Sequence, residues 1–134
     1  MYLKSWRKEL QKAFLILADT LMKVDDQIQE EEVAFMNAYL DEIGEDRSFA
    51  ESNDLGEADA KEIFLKEGQK ECRKAYLELY ALALCNEEYA EEERCYMDDL
   101  AGIWDISGDI CAALQKKVEA MNQIYSELDG ILDS

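Results

Sequence analysis

Leu3, Trp6, Leu10, Phe14, Leu17 and Leu21 step by three or four residues, and similar stripes recur along the rest of the chain. That spacing places apolar side chains on one face of an α-helix, and no stretch alternates with the period of two that a strand requires. No proline interrupts the pattern anywhere in 134 residues, so long helices are free to form. The expectation is an all-α chain, folded as a compact helical bundle.

The first helix should end near Lys23. A second should run from about residue 29 to 43, with Ile28, Val33, Met36, Leu40 and Ile43 facing inward and Gly44 as its stop. Residues 44–56 are polar and bounded by glycine, which predicts a connecting loop with one short turn around Phe49. Helix resumes near Glu57, and Gly68 breaks or kinks it before the apolar run of Tyr76, Leu79, Tyr80, Leu82, Ala83 and Leu84. A further helix covers about residues 91–104. The last opens after Ser107, a residue type that caps helices well, and spans about 108–132 with Ile110, Leu114, Val118, Met121, Tyr125, Leu128 and Leu132 on one face.

Two segments 61 residues apart resemble each other. Residues 21–36 (LMKVDDQIQEEEVAFM) and 82–97 (LALCNEEYAEEERCYM) align Leu21 with Leu82, Ile28 with Tyr89, three glutamates with three glutamates, and Met36 with Met97. In each an apolar helix ends, an acidic turn follows, one bulky residue plugs inward, and a glutamate-rich turn opens the next helix. A helix hairpin used twice, about 14–44 and about 75–105, predicts a pseudo-twofold bundle with flanking helices, all in a single domain over 1–134.

Charge decides which functions are open. With 32 acidic and 14 basic side chains the net charge is −18, so a face able to contact nucleic-acid phosphates is not expected. Zero histidine removes imidazole general bases, Ser-His-Asp and Cys-His nucleophiles and the usual zinc sites. Acid pairs of glycosidase type are unavoidable among 32 carboxylates and carry no signal; no nucleophile motif or phosphate-cradling glycine loop is present, so an enzyme is not expected. The charge is also uneven. Residues 1–23 carry Lys4, Arg7, Lys8, Lys12 and Lys23 against Glu9 and Asp19, a net of +3, leaving −21 on the remainder. A basic first helix should lie across that acidic body.

Cys72, Cys85, Cys95 and Cys111 stand 13, 10 and 16 positions apart, with no C-x-x-C pair, and read as small hydrophobes of a reduced, cytoplasmic protein. The basic N-terminal residues lead into no long apolar segment of signal-peptide type, and the apolar run 13–18 is too short to span a bilayer.

Glutamates at a helix start complement its dipole, and Glu32 and Glu93 sit where a capping box would reach back. Asp25, Asp26, Asn86 and Glu87 crowd more oxygen ligands ahead of the same helices, a set suited to a hard divalent cation such as Ca2+ or Mg2+. The candidate metal residues are therefore Asp25, Asp26, Glu32, Asn86, Glu87 and Glu93. These are not EF-hands: counting from Asp25 or Asn86 puts Glu30 or Glu91 where the loop needs glycine, and Met36 or Met97 where it needs glutamate.

An apolar helix followed by Asp-Gly-x-Ile-x-x-x-Glu, repeated once, resembles the TerB family, named for tellurite resistance. Residues 24–32 (VDDQIQEEE) match with Asp26 in place of glycine; residues 85–93 (CNEEYAEEE) match with Asn86 for aspartate and Glu87 for glycine. The likeness extends from about Phe14 to Leu114. It implies an all-helical domain with internal two-fold pseudo-symmetry, an acidic surface, divalent-cation binding through Asp25, Glu32 and Glu93, and a part in stress or membrane-associated complexes rather than catalysis. The expected partner is a protein with a basic surface. The alternative is an acidic decoy that mimics DNA and occupies a nucleic-acid-binding protein.

Overall fold

The computed structural model describes residues 2–24, 30–51, 54–84 and 90–133, with side chains at 30–32, 50 and 51 left aside. Among these residues there are seven α-helices and no strand: α1 (Lys8–Lys23), α2 (Glu30–Ile43), α3 (Arg47–Glu51), α4 (Glu57–Glu67), α5 (Gln69–Ala83), α6 (Glu91–Ile103) and α7 (Gly108–Leu132), preceded by a 3-10 turn at Leu3–Ser5. The all-helical bundle is as expected.

The initial stripe is not one continuous helix. Trp6 turns extended (φ −88°, ψ 147°), and α1 starts two residues later. The buried Gln11 amide donates to the carbonyls of Leu3 (2.8 Å) and Trp6 (3.1 Å), satisfying groups that the break releases. The bend folds the Trp6 ring back between Phe14 (5.6 Å between centroids) and Phe64 (5.2 Å). Phe64 in turn meets Trp104, and Phe14 meets Tyr39, so aromatic rings join the N-terminal segment to α1, α2, α4 and the end of α6. α5 is the central helix, with Ala75, Tyr76, Leu79 and Leu82 essentially sealed from solvent against α1, α4, α6 and α7.

Stops and starts follow local chemistry. Gly44 takes φ +71°, its N–H reaching Asp41 O while Glu45 N–H reaches Leu40 O, a Schellman end for α2. α6 ends in the same pattern 61 residues on: Asp105 (φ +54°) donates to Gly102 O and Ile106 to Ala101 O. Glu30 and Glu91, also 61 apart, each open a helix. Gly68 (φ +123°, ψ 170°) occupies a region essentially closed to other residues and lets α4 run directly into α5. Ser107 Oγ caps α7 by accepting from Ile110 N–H (3.3 Å). The polar segment after Gly44 contains α3, whose Phe49 is half-buried beneath the ammonium groups of Lys8 and Lys12.

Two expected inward faces are corrected. Val33 is exposed, because the contact of Tyr39 with Phe14 rotates the buried face of α2 toward Tyr39 and Leu40, with Met36 and Ile43 half-buried; Ile28 lies outside the described residues. Only the first part of the α7 stripe is covered. Val118 is buried and Ile110, Leu114 and Met121 are half-buried, whereas Tyr125, Leu128 and Leu132 are exposed. Tyr76 and Tyr80 of α5 bond Gln115 and Glu119 of α7, both across 39 positions, so the two helices run parallel. At that offset α5 ends level with Asn122, and the rest of α7 continues beyond it.

Candidate functional site

The two acidic turns are bounded by helices that begin at Glu30 and Glu91. Asp25, Asp26, Asn86 and Glu87 lie outside the described residues. Glu32 is in the first turn of α2, with its side chain left aside. Glu93 is described fully. It is 3% exposed, and its Oε1 accepts the N–H of Ala90, the N-cap of α6, at 3.2 Å. That is the backward half of a capping box; alanine at the N-cap has no acceptor to supply the forward half. One carboxylate oxygen of Glu93 thus serves its own helix. Among the described residues no three acidic or cysteine side chains come together to hold a metal.

A second set of carboxylates, not singled out by the sequence, holds the N-terminal segment. Glu78 accepts from Tyr2 N–H (3.1 Å), Glu42 from Lys4 N–H (3.0 Å), and Glu71 from the indole of Trp6 (2.6 Å). Burial raises the Glu42 pKa, but hydrogen bonds that include the one from Lys4 N–H outweigh it and hold the carboxyl below its ordinary value. Arg7 pairs with Glu67 (2.9 Å) and Lys8 with Glu45 (2.8 Å). The basic first segment thus lies on the acidic body. These exposed pairs are each worth about 0–1 kcal/mol, so they orient the segment more than they stabilise it.

Grooves open on the surface among the described residues. One, about 630 Å3, has walls from α2 (Ala34, Phe35, Ala38) and α7 (Asn122, Tyr125, Ser126) over a floor of Ala81 and Leu84 from the end of α5. Another, about 390 Å3, is lined by Tyr2, Leu77 and Leu114 with Lys70, Arg73 and Lys74. Here Lys74 stacks over the Tyr2 ring and pairs with Glu71, and Arg73 bonds Gln69. The first groove was not foreseen; its signal in the sequence is the heptad-like run of α7 continuing past the length of α5.

No described helix is long and apolar enough to cross a membrane. Cys72 is buried, Cys111 half-buried and Cys95 exposed, all as free thiols. Compared with protein-family models, curated proteins and solved structures, the chain matches none. The TerB resemblance rests on the two turns alone.

Proposed function

We propose that this chain is a non-enzymatic, TerB-like interaction module that offers an acidic surface to a basic protein partner. One observation carries the reading. Two cations of the most basic segment are engaged by the body's own carboxylates, Arg7 by Glu67 and Lys8 by Glu45, and the chain as a whole carries a net charge of −18. Such a surface steers basic partners toward it and repels copies of itself. The test is binding to immobilised poly-lysine, with poly-glutamate as the control, over a range of salt. Salt-sensitive binding to poly-lysine alone is expected; equal retention on both would overturn the reading. If a captured basic protein is one that duplex DNA displaces from the chain, the decoy role replaces the module role.

The module reading includes a divalent cation, Ca2+ or Mg2+, at the acidic turns, resting on Asp25, Asp26, Glu32, Asn86 and Glu87 rather than on Glu93. Support comes from the matching helix starts at Glu30 and Glu91. Thermal melts with chelator, Ca2+, Mg2+ or Mn2+ at matched ionic strength decide it. A rise for one cation far beyond the others, saturating at low concentration, is the expected result. Equal small rises would mean screening alone and remove the cation from the proposal.

A further inference from the structure

The apolar face of α7 widens where its support ends. Beside α5, the position preceding buried Val118 is the exposed Lys117; seven residues later the equivalent position is Ile124, which is 55% exposed. Tyr125, Leu128 and Leu132 continue the stripe at 65%, 47% and 78% exposure. A helix end meant only for water would become more polar here, and this one becomes more apolar.

Of this stripe Tyr125, flanked by Asn122 and Ser126, forms one wall of the 630 Å3 groove. Its floor and opposite wall carry Ala34, Ala38 and Ala81, small side chains that let another helix approach to the usual 8–10 Å between axes. The charge around it has one sign. α2 contains five acidic residues and no basic one, α7 beyond Lys117 contains Glu119, Glu127 and Asp129 and no basic one, and the last turns of α5 add no cation. Asp41 follows Ala34 and Ala38 at helical spacing, Asp129 follows Asn122 and Ser126 likewise, and both are exposed. A second copy supplies no matching element: its α7 is equally acidic, and its basic α1 has Leu10, Phe14, Leu17 and Leu21 buried in its own core.

We infer that this groove docks a basic amphipathic helix of a partner protein, with its apolar stripe against Ala38, Ala81 and Tyr125 and its cations along Asp41 and Asp129. The inference rests on the acidic-module reading and adds where, and in what conformation, the partner sits. The test uses the whole chain and a synthetic Lys/Leu amphipathic peptide of about 18 residues, five helical turns. A scramble of the same composition, which destroys the stripe, and poly-lysine are the controls.

The ordered peptide should bind at least about tenfold more tightly than the scramble. Ala38→Arg, and separately Tyr125→Lys at an exposed position, should remove that preference with helicity by circular dichroism unchanged and poly-lysine binding intact. Equal binding of ordered and scrambled peptides, with poly-lysine still bound, would overturn the groove and leave the module reading standing. Failure to bind poly-lysine at all would overturn both. A dimer by sedimentation that Tyr125→Asp dissolves would assign the groove to a second copy, and capture by zwitterionic vesicles, lost in the same variant, would assign it to lipid; either overturns the inference.

Discussion

The indole Nε1 of Trp6 donates to Glu71 Oε2 at 2.6 Å, joining residues 65 positions apart. Trp6 is buried between Phe14 and Phe64, so this bond satisfies the ring's one polar atom and fixes how the N-terminal segment enters the core. Glu71→Ala should cost about 1.5–3 kcal/mol, the range for a hydrogen bond to a charged group. Glu71→Gln keeps an acceptor and should cost less than half as much. Urea unfolding followed by tryptophan fluorescence measures both, and equal losses would show that packing of the Glu71 stem, not the bond, matters.

Gly44 and Asp105 end α2 and α6 in the same left-handed conformation, but only one of them is glycine. A β-carbon on Gly44 would meet nothing within 4 Å, so Gly44→Ala is penalised by backbone conformation alone, at about 1 kcal/mol. Asp105→Gly removes that strain and should raise stability by up to about 1 kcal/mol. Gly68→Ala should be the most damaging of the three, because φ +123° with ψ 170° is nearly closed to alanine. Thermal melts of the three variants give the order, and a stabilised Gly68→Ala would contradict the α4–α5 geometry.

These two helix ends also mark what the sequence made legible. Gly44, Gly68 and Ser107 declare their roles because φ above zero and N-cap oxygens are properties of single residues. Asp105 went unread, since aspartate tolerates the left-handed region without advertising it. Burial was legible along α1, where α2, α4, α5 and α6 together cover the stripe of Leu10, Phe14, Leu17 and Leu21. On α2, Tyr39 rather than Val33 turned inward because its contact with Phe14 depends on tertiary placement. The α7 stripe gave the helix correctly but not its exposure, which depends on where α5 stops. Of the candidate cation residues, Glu93 took up the capping position its spacing indicated.

Glu93 separates the two roles of the acidic turns. Glu93→Gln retains an acceptor for Ala90 N–H and should change stability by less than about 0.5 kcal/mol, whereas Glu93→Ala should cost about 1 kcal/mol by loss of the cap. Any Ca2+ or Mg2+ response in a thermal melt should survive Glu93→Gln. Its disappearance there would make Glu93 a ligand and the capping assignment wrong.

At high pH buried groups resist ionisation, Tyr80 and Cys72 among them. Burial, then the Glu119 carboxylate that accepts its hydroxyl, pushes Tyr80 from 10.0 up to about 12. Burial, then the nearby Glu71 charge, pushes the Cys72 thiol from 9.0 up to about 11. Both values rise on folding, so the stability they confer is complete below about pH 9 and is lost as pH climbs through about 11 for Cys72 and about 12 for Tyr80. Loss of helicity should therefore accompany the rise of tyrosinate absorbance. Glu119→Gln should lower the Tyr80 pKa and weaken the alkaline loss. Tyrosinate appearing fully before any helicity is lost would refute the assignment.

The ring contacts that bind Trp6 to Phe14 and Phe64 have a consequence for how the chain comes off the ribosome. α1 is made early, yet it packs most extensively on α4, and the carboxylates that hook Tyr2 and Trp6 belong to Glu78 and Glu71. Until α5 has emerged, the sticky side of the nascent α1 has no native cover, and distant contacts of this kind make folding wait on chain length.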